Sequence, residues 1–193
     1  MGGAGNDTLW GGDGADTLDE GSATNGSDKL NGGTGIDTVD YSARSVGITV
    51  TLNSTADDGQ GEGDLVAIDV ENVLGSSGND TLTGSSVANR LEGRGGADTI
   101  RGGAGADVLV GGTGNDTLFG DDGDDTFREE DASNGADTFS GGTGADLVDY
   151  HLRSTTLTCV MDALTSCGAA SEGDKVGLDV ENLDCGSGDC TVT

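Results

Sequence analysis

Apolar residues recur singly along this chain, at one position in nine, within a background of glycine and polar residues. The repeating unit reads Gly-Gly-x-Gly-x-Asp-x-U-x, where U is apolar, and residues 2–10 and 11–19 are its first two copies. It returns at residues 32–40, six times without a break over residues 75–128, and at residues 141–149. One apolar residue per short polar segment predicts one short strand per unit, with a single inward side chain and a thin core. The apolar positions are Leu9, Leu18, Leu30, Val39, Leu82, Leu91, Ile100, Leu109, Leu118, Phe127, Phe139 and Val148.

The sixth position of the unit is acidic with the same regularity. Two stretched copies of twelve residues, 20–31 and 129–140, keep the Gly-x-Asp-x-U ending, and one copy carries Asn89 in place of the acid. The acidic positions are Asp7, Asp16, Asp28, Asp37, Asp80, Asp98, Asp107, Asp116, Asp125, Asp137 and Asp146.

Composition alone favours a disordered chain, but the constant spacing of the acidic and apolar repeat positions argues against disorder. The chain has 193 residues, a formal net charge of −28, 38 glycines and no proline, and only 32% of its residues are hydrophobic. Such chains usually bury too little apolar surface to offset their conformational entropy. A disordered segment would not hold an acidic and an apolar residue in constant register. We therefore expect an ordered fold that is stabilised by something other than a large core.

The net negative charge limits the kinds of partner that the chain can bind. Excess acid repels phosphate, so we expect no nucleic-acid partner, and it favours cations. No run of 18 apolar residues is present, so we expect no membrane insertion. Residues 1–7 already belong to a repeat and do not resemble a signal peptide, so we expect a fragment or a mature chain with an added methionine.

These motifs resemble the RTX, or haemolysin-type, calcium-binding nonapeptide repeats, over most of the chain. The resemblance implies an all-β fold, a right-handed parallel β-roll or β-solenoid. Each nonapeptide would form a six-residue turn and a short strand, and two nonapeptides would complete one coil. The implied cofactor is Ca²⁺, with several ions bound.

The residue types suit that cofactor. Glycine permits the positive φ values of a tight turn and leaves the backbone carbonyls open, and calcium takes six to eight oxygen ligands. One turn would supply half a site and the turn stacked on it the other half, so we expect Asp98 with Asp116, and Asp107 with Asp125, to flank ions. Without metal the stacked aspartates repel one another, so we expect the metal to supply folding energy. The candidate ligands are the eleven repeat aspartates and the glycines Gly3, Gly5, Gly12, Gly14, Gly33, Gly35, Gly103, Gly105, Gly112, Gly114, Gly123, Gly142 and Gly144.

A longer period overlies the repeat. Residues 2–83 correspond to residues 111–193, and the nonapeptides of residues 84–110 separate the two copies. Each copy contains an insert without the repeat, residues 41–74 and 150–184, which begins Tyr-x-x-Arg-Ser and alternates as strands do. We expect one continuous solenoid over residues 1–193, in which both inserts form wider coils.

Four cysteines occur, all in the second copy: Cys159, Cys167, Cys185 and Cys190. No Cys-x-x-Cys zinc spacing is present, and an even count predicts two disulfides and an oxidising compartment. We favour Cys185 with Cys190 and Cys159 with Cys167, among three possible pairings. Cys185 and Cys190 also replace the glycine and the aspartate of a repeat, so we expect that half-site to be lost.

No catalytic motif is present, and we expect no enzyme. The favoured function is a calcium-binding structural module that folds with calcium in a secreted or cell-surface bacterial protein. One alternative is a subunit of an extracellular filament, formed by end-to-end stacking of solenoids. Another is the non-catalytic secretion or folding region of a secreted enzyme, toxin or adhesin. Calcium is the expected partner, and in the filament alternative the chain also binds itself end to end.

Overall fold

The computed structural model describes residues 2–129, 134–153, 157–159, 166–167, 173–186 and 190–192, and of residues 157–159, 166–167 and 190–192 it describes the backbone alone. In chain order the strands are β1 (Thr8–Asp13), β2 (Thr17–Asp19), β3 (Lys29–Thr34), β4 (Thr38–Asp40), β5 (Thr49–Thr51), β6 (Ala56–Asp58), β7 (Asp64–Val66), β8 (Asn72–Leu74), β9 (Thr81–Thr83), β10 (Arg90–Gly95), β11 (Thr99–Ala104), β12 (Val108–Thr113), β13 (Thr117–Asp122), β14 (Thr126–Arg128), β15 (Thr138–Thr143), β16 (Leu147–Asp149), β17 (Leu157–Cys159), β18 (Ser166–Cys167), β19 (Asp174–Val176), β20 (Asn182–Asp184) and β21 (Cys190–Val192).

Successive strands alternate between two faces and stack into a parallel β-solenoid of about seven turns. One face is a single eight-stranded sheet in the order β2-β4-β8-β10-β12-β14-β16-β20. The other is divided between a four-stranded sheet, β1-β3-β7-β6, and a seven-stranded sheet, β18-β19-β15-β13-β11-β9-β5. The predicted all-β parallel solenoid is confirmed. Within the described ranges, no helix has the length and hydropathy needed to cross a membrane.

The register shows that two repeats make one coil. Arg90 pairs with Val108 and Thr99 with Thr117, an offset of 18 residues. The offset is 21 residues where a stretched copy intervenes, as in the pairing of Thr117 with Thr138. The three extra residues therefore widen the connection between strands without breaking the parallel pairing.

The eighth repeat positions form a continuous apolar ladder inside the solenoid. Leu9 is partly buried and the eleven other predicted core residues are at most 5% exposed. Ile100 lies opposite Leu118, which lies opposite Phe139, and Phe139 stacks at a tilt on Phe127 with ring centroids 5.5 Å apart. This prediction is confirmed, and the core is only as wide as one or two side chains.

The first insert adds strands to both faces of the solenoid. After β4 the chain crosses to β5, which pairs with β9 of the following coil, and β6 then forms an antiparallel hairpin with β7. β7 pairs with β3, and β8 fills the place between β4 and β10. The second insert has the corresponding pairings, β17 with β21 and antiparallel β18 with β19. Described strands of both inserts therefore pair with strands of the repeats.

Candidate metal centres

The turns between strands owe their shape to glycines at the second and fourth repeat positions. All thirteen glycines predicted as ligands have positive φ, from 97° to 143°. An L-residue rarely adopts this conformation, so glycine is the residue that closes such a turn with little strain. Arg94 and Asp121 occupy second positions with φ of 76° and 72°.

Aspartates at the sixth position form ladders along both edges of the solenoid. The backbone N–H of Asp98 donates to Oδ1 of Asp116 at 2.8 Å, and that of Asp107 donates to Oδ1 of Asp125 at 2.8 Å. The structure therefore brings together both predicted pairs. The same bond recurs between Asp116 and Asp137. One carboxylate oxygen of Asp116, Asp125 and Asp137 thus holds the preceding coil.

The second oxygen distinguishes these aspartates from ordinary buried acids. In nine of them Oδ2 is buried and accepts no hydrogen bond from any described residue, which would be costly without a compensating ligand. Oxygen atoms of carboxylates, close to turns with open carbonyls, are the ligands that calcium prefers. The residues present therefore fit the expected ion. The nine are Asp7, Asp16, Asp37, Asp98, Asp107, Asp116, Asp125, Asp137 and Asp146.

Burial and crowding make the carboxylates of Asp98, Asp107 and Asp137 hard to ionise in the absence of a cation. Burial, assisted by the neighbouring Asp116 and Asp80 carboxylates, raises the pKa of Asp98 to about 7. Burial also raises the pKa of Asp137 to about 8 and that of Asp107 to about 6. A divalent cation would reverse this effect, because opposite charge favours the ionised form.

Asp28 and Asp80 differ from the other predicted ligands, because protein donors reach both of their carboxylate oxygens. Oδ2 of Asp28 accepts from the side-chain amide of Asn25 at 3.1 Å. Oδ2 of Asp80 accepts from the backbone N–H of Ser76 at 2.7 Å, and Oδ1 accepts from the Ser76 hydroxyl. Their assignment as calcium ligands stays a prediction.

Four acids of the inserts take the place of repeat aspartates. The backbone N–H of Asp28 donates to Asp64, and that of Asp37 donates to Glu71 at 2.9 Å. Asp174 and Glu181 accept from Asp137 and Asp146 in the same way. The nonapeptide pattern does not identify these acids. The duplicated Asp-Val-Glu-Asn sequence contains two of them and was the available signal.

A buried arginine lies inside the first insert. Arg44 forms ion pairs with Glu62 and, at 3.5 Å, with Glu20, and its guanidinium carbon lies 5.0 Å from the centroid of the Tyr41 ring. The Tyr41 hydroxyl donates to Asp64 at 3.1 Å. Burial raises the pKa of Glu20 to about 7, with the nearby Asp64 and Asp28 carboxylates adding to the effect. Glu20, Glu62 and Asp64 offer carboxylate oxygens within 4.8 Å of one another, a grouping that could also hold a metal.

The second insert contains the same arrangement. Arg153 pairs with Glu129 at 2.9 Å and donates to Asn134 at 2.8 Å, beside the Tyr150 ring. The Tyr150 hydroxyl donates to Asp174 at 2.9 Å. In the sequence, the shared Tyr-x-x-Arg-Ser motif and the stretched repeats are separate features. That they meet in one buried network could not be predicted from either.

The predicted cysteine pairing falls largely outside the described side chains. Cys185 is partly buried against the hydrophobic core. The side chains of Cys159, Cys167 and Cys190 lie outside the described residues, so the predicted pairing and the lost half-site at Cys185 and Cys190 stay predictions.

The comparison with known families agrees with this geometry. The model of the RTX calcium-binding nonapeptide repeat (4 copies) matches residues 1–21, 22–40, 74–109, 102–128 and 131–150, which together make up more than half of the chain. The chain therefore belongs to the RTX calcium-binding nonapeptide repeat family, whose repeats form a calcium-binding β-roll module. No curated protein matches the chain.

Proposed function

We propose that this chain is a structural module that binds several calcium ions and folds with them, in a secreted or cell-surface bacterial protein. The observation that carries the proposal is the set of nine aspartates whose buried Oδ2 accepts no hydrogen bond from any described residue. Each lies in a turn of the solenoid. The fold thus presents acceptor oxygens that protein donors do not satisfy.

Electrostatics link binding to folding. The chain carries a formal net charge of −28, and stacking its coils brings the repeat aspartates of successive turns together. In a metal-free chain that repulsion opposes the folded state. Binding to the folded state alone stabilises it in proportion to the logarithm of the calcium concentration. Calcium near millimolar outside cells matches weak extracellular sites, so the chain would remain largely unfolded before export and fold afterwards.

The proposed role is structural and not catalytic. The described carboxylates are arranged in ladders that join neighbouring coils, as expected of groups that hold a stack together. Two disulfides among the four cysteines would suit an oxidising exterior. End-to-end filament formation, and membership of a larger secreted enzyme, toxin or adhesin, stay predictions from the sequence.

The proposal can be tested with the variant Asp116→Asn. Asparagine keeps the oxygen that accepts from Asp98 and removes the charge that a cation needs. Asp57→Asn is the matched control, because Asp57 is an exposed acid in the first insert and the change in net charge is the same. Calcium binding is counted by equilibrium dialysis, and folding is followed by circular dichroism.

We expect Asp116→Asn to bind fewer ions and to need at least about tenfold more calcium to fold, which corresponds to about 1.4 kcal/mol. Asp57→Asn should behave as the parent chain does. Equal ion counts and folding midpoints for the two variants would show that the aspartate ladder does not bind calcium.

A further inference from the structure

We propose that residues 41–90, together with the loop of residues 20–28, fold without calcium, and that Arg44 supplies there the positive charge that calcium supplies elsewhere. We call these residues the arginine segment. The inference rests on the proposed function, since it divides the solenoid into a part that needs calcium and a part that does not.

The buried aspartates of the arginine segment accept hydrogen bonds from protein donors, whereas the carboxylate oxygens of Glu20 and Glu62 accept none from the described residues and form ion pairs with Arg44. The two oxygens of Asp58, which is fully buried, accept from the backbone N–H groups of Thr51 at 2.6 Å and Val66 at 2.8 Å. Both oxygens of Asp80 are likewise occupied, by donors on Ser76. Hydrogen bonds from fixed amides stabilise a buried carboxylate without an added ion. The segment thus lacks the unsatisfied Oδ2 atoms that mark the other turns.

The turns of residues 75–80 and 84–89 also differ in backbone shape. Serine replaces glycine at the second position of both turns, and Val87 replaces glycine at the fourth position of the second turn. None of residues 75–89, all of which the structure describes, has positive φ. In the second turn Asn89 stands at the acidic position, and its Oδ1 accepts from Ser85 at 2.7 Å. These turns are therefore closed by side chains of their own, without the left-handed glycines of the calcium turns.

Arg44 occupies the place that a metal would take among the acids of the segment. Glu20, Glu62 and Asp64 resemble a cation site, but the guanidinium contacts two of the three. The side chain of Arg44 is fully buried, as is that of Glu20, and that of Glu62 is 6% exposed. A permanently charged and buried cation in direct contact neutralises these acids at any calcium concentration. The stretched repeat supplies Glu20 and the insert supplies Arg44, so the two irregularities of the sequence form one unit.

The second copy repeats this solution with Arg153 and Glu129, whose side chains are each 1% exposed. Both copies of the duplication thus retain the buried ion pair at the junction of a stretched repeat and an insert. Since Glu129 accepts directly from Arg153 and Asn134, the cation in that copy is again a side chain.

The test is hydrogen–deuterium exchange of the full chain, read by mass spectrometry, in excess chelator and in saturating calcium. In chelator we expect amides of residues 41–74 to exchange at least about tenfold more slowly than those of residues 93–128. In calcium both regions should be protected. Rapid exchange throughout the chelated chain would overturn the arginine segment and leave the proposed function intact. Full protection throughout the chelated chain would instead overturn calcium-dependent folding.

Two variants test the role of the arginine. Arg44→Gln removes the buried charge, and Arg101→Gln is the control, because the Arg101 side chain is 46% exposed. We expect Arg44→Gln alone to abolish the protection of residues 41–74 in chelator. Protection equal to that of the control would contradict the role of Arg44.

A second pair of variants tests the inference even if Arg44→Gln does not fold. Asp80→Asn and Asp98→Asn each remove one sixth-position carboxylate, and the two differ in whether Oδ2 is satisfied. Equilibrium dialysis should show fewer bound calcium ions for Asp98→Asn and an unchanged count for Asp80→Asn. A loss of calcium with Asp80→Asn would place an ion inside the segment and overturn the inference.

Discussion

Close stacking of the coils can be tested by adding one methyl group to the fourth position of a turn. A Cβ on Gly114, whose φ is 138°, would lie 1.5 Å from the backbone oxygen of Gly96 in the preceding coil. A Cβ on Gly14, at φ 120°, would meet nothing within 4 Å. Gly114→Ala and Gly14→Ala therefore share the strain of positive φ and differ in contact with the neighbouring coil.

The expected losses of folding stability in the two variants follow from that difference in contact. Positive φ of this kind costs an L-residue about 1–3 kcal/mol in either variant. Relieving the clash at Gly114 also requires the coils of Gly96 and Gly114 to separate, which weakens the bonds from Gly96 N–H to the Thr113 oxygen at 2.9 Å and from Asp98 N–H to the Asp116 Oδ1 at 2.8 Å. At about 1 kcal/mol for each such bond, Gly114→Ala should lose about 2 kcal/mol more than Gly14→Ala.

The assay is the calcium concentration at the midpoint of folding, followed by circular dichroism, with thermal unfolding in saturating calcium as a second measure. An extra 2 kcal/mol corresponds to a further shift of the folding equilibrium by about thirtyfold. Equal midpoints for the two variants would refute the coil-to-coil packing described above.

Three further predictions follow from single residues. Arg94→Gly should raise the stability of the calcium-bound chain by about 1 kcal/mol, because Arg94 has φ of 76°, and a rise in melting temperature would show it. Phe127→Ala should lower the stability by about 3–5 kcal/mol, because Phe127 is fully buried against Phe139; a melting temperature within a few degrees of the parent would contradict the thin core. Burial raises the pKa of Asp98 from 3.8 to about 7 in the folded metal-free chain, so that form binds more protons than the unfolded chain between these values. In chelator, stability should therefore fall as the pH rises from about 4 to about 7, whereas calcium affinity should strengthen as protons leave; titrations at about pH 5.5 and about pH 8 would test the sign.

The regular coils could be predicted because the nine-residue pattern of each repeat specifies which residue enters the core and which residues form the turn. Leu109 at an eighth position and Gly112 at a second position follow from a nine-residue phase, and the structure places them in the core and at positive φ. Stacking identical units also fixes the register, since a shift by one residue would expose every apolar side chain. Local pattern and global fold thus agree over the repeats.

The inserts could not be predicted to the same depth, because their contacts join distant residues without a period. Nothing in the sequence near Glu20 indicates that Arg44 will reach it, and Asp58 gives no sign of the two amides that it accepts from. The Oδ2 of Asp80 accepts from Ser76, whereas that of Asp98 accepts from no described residue. The repeat pattern alone does not predict this difference in hydrogen bonding.

The measurement that tests the central claim most directly is a far-ultraviolet circular dichroism titration of the full chain with calcium, with magnesium as the control. The account predicts that most of the β signal appears cooperatively with calcium and not with magnesium, because magnesium demands shorter bonds and a stricter geometry. A full β signal in excess chelator, unchanged by calcium, would contradict it and would show that packing and disulfides hold the solenoid.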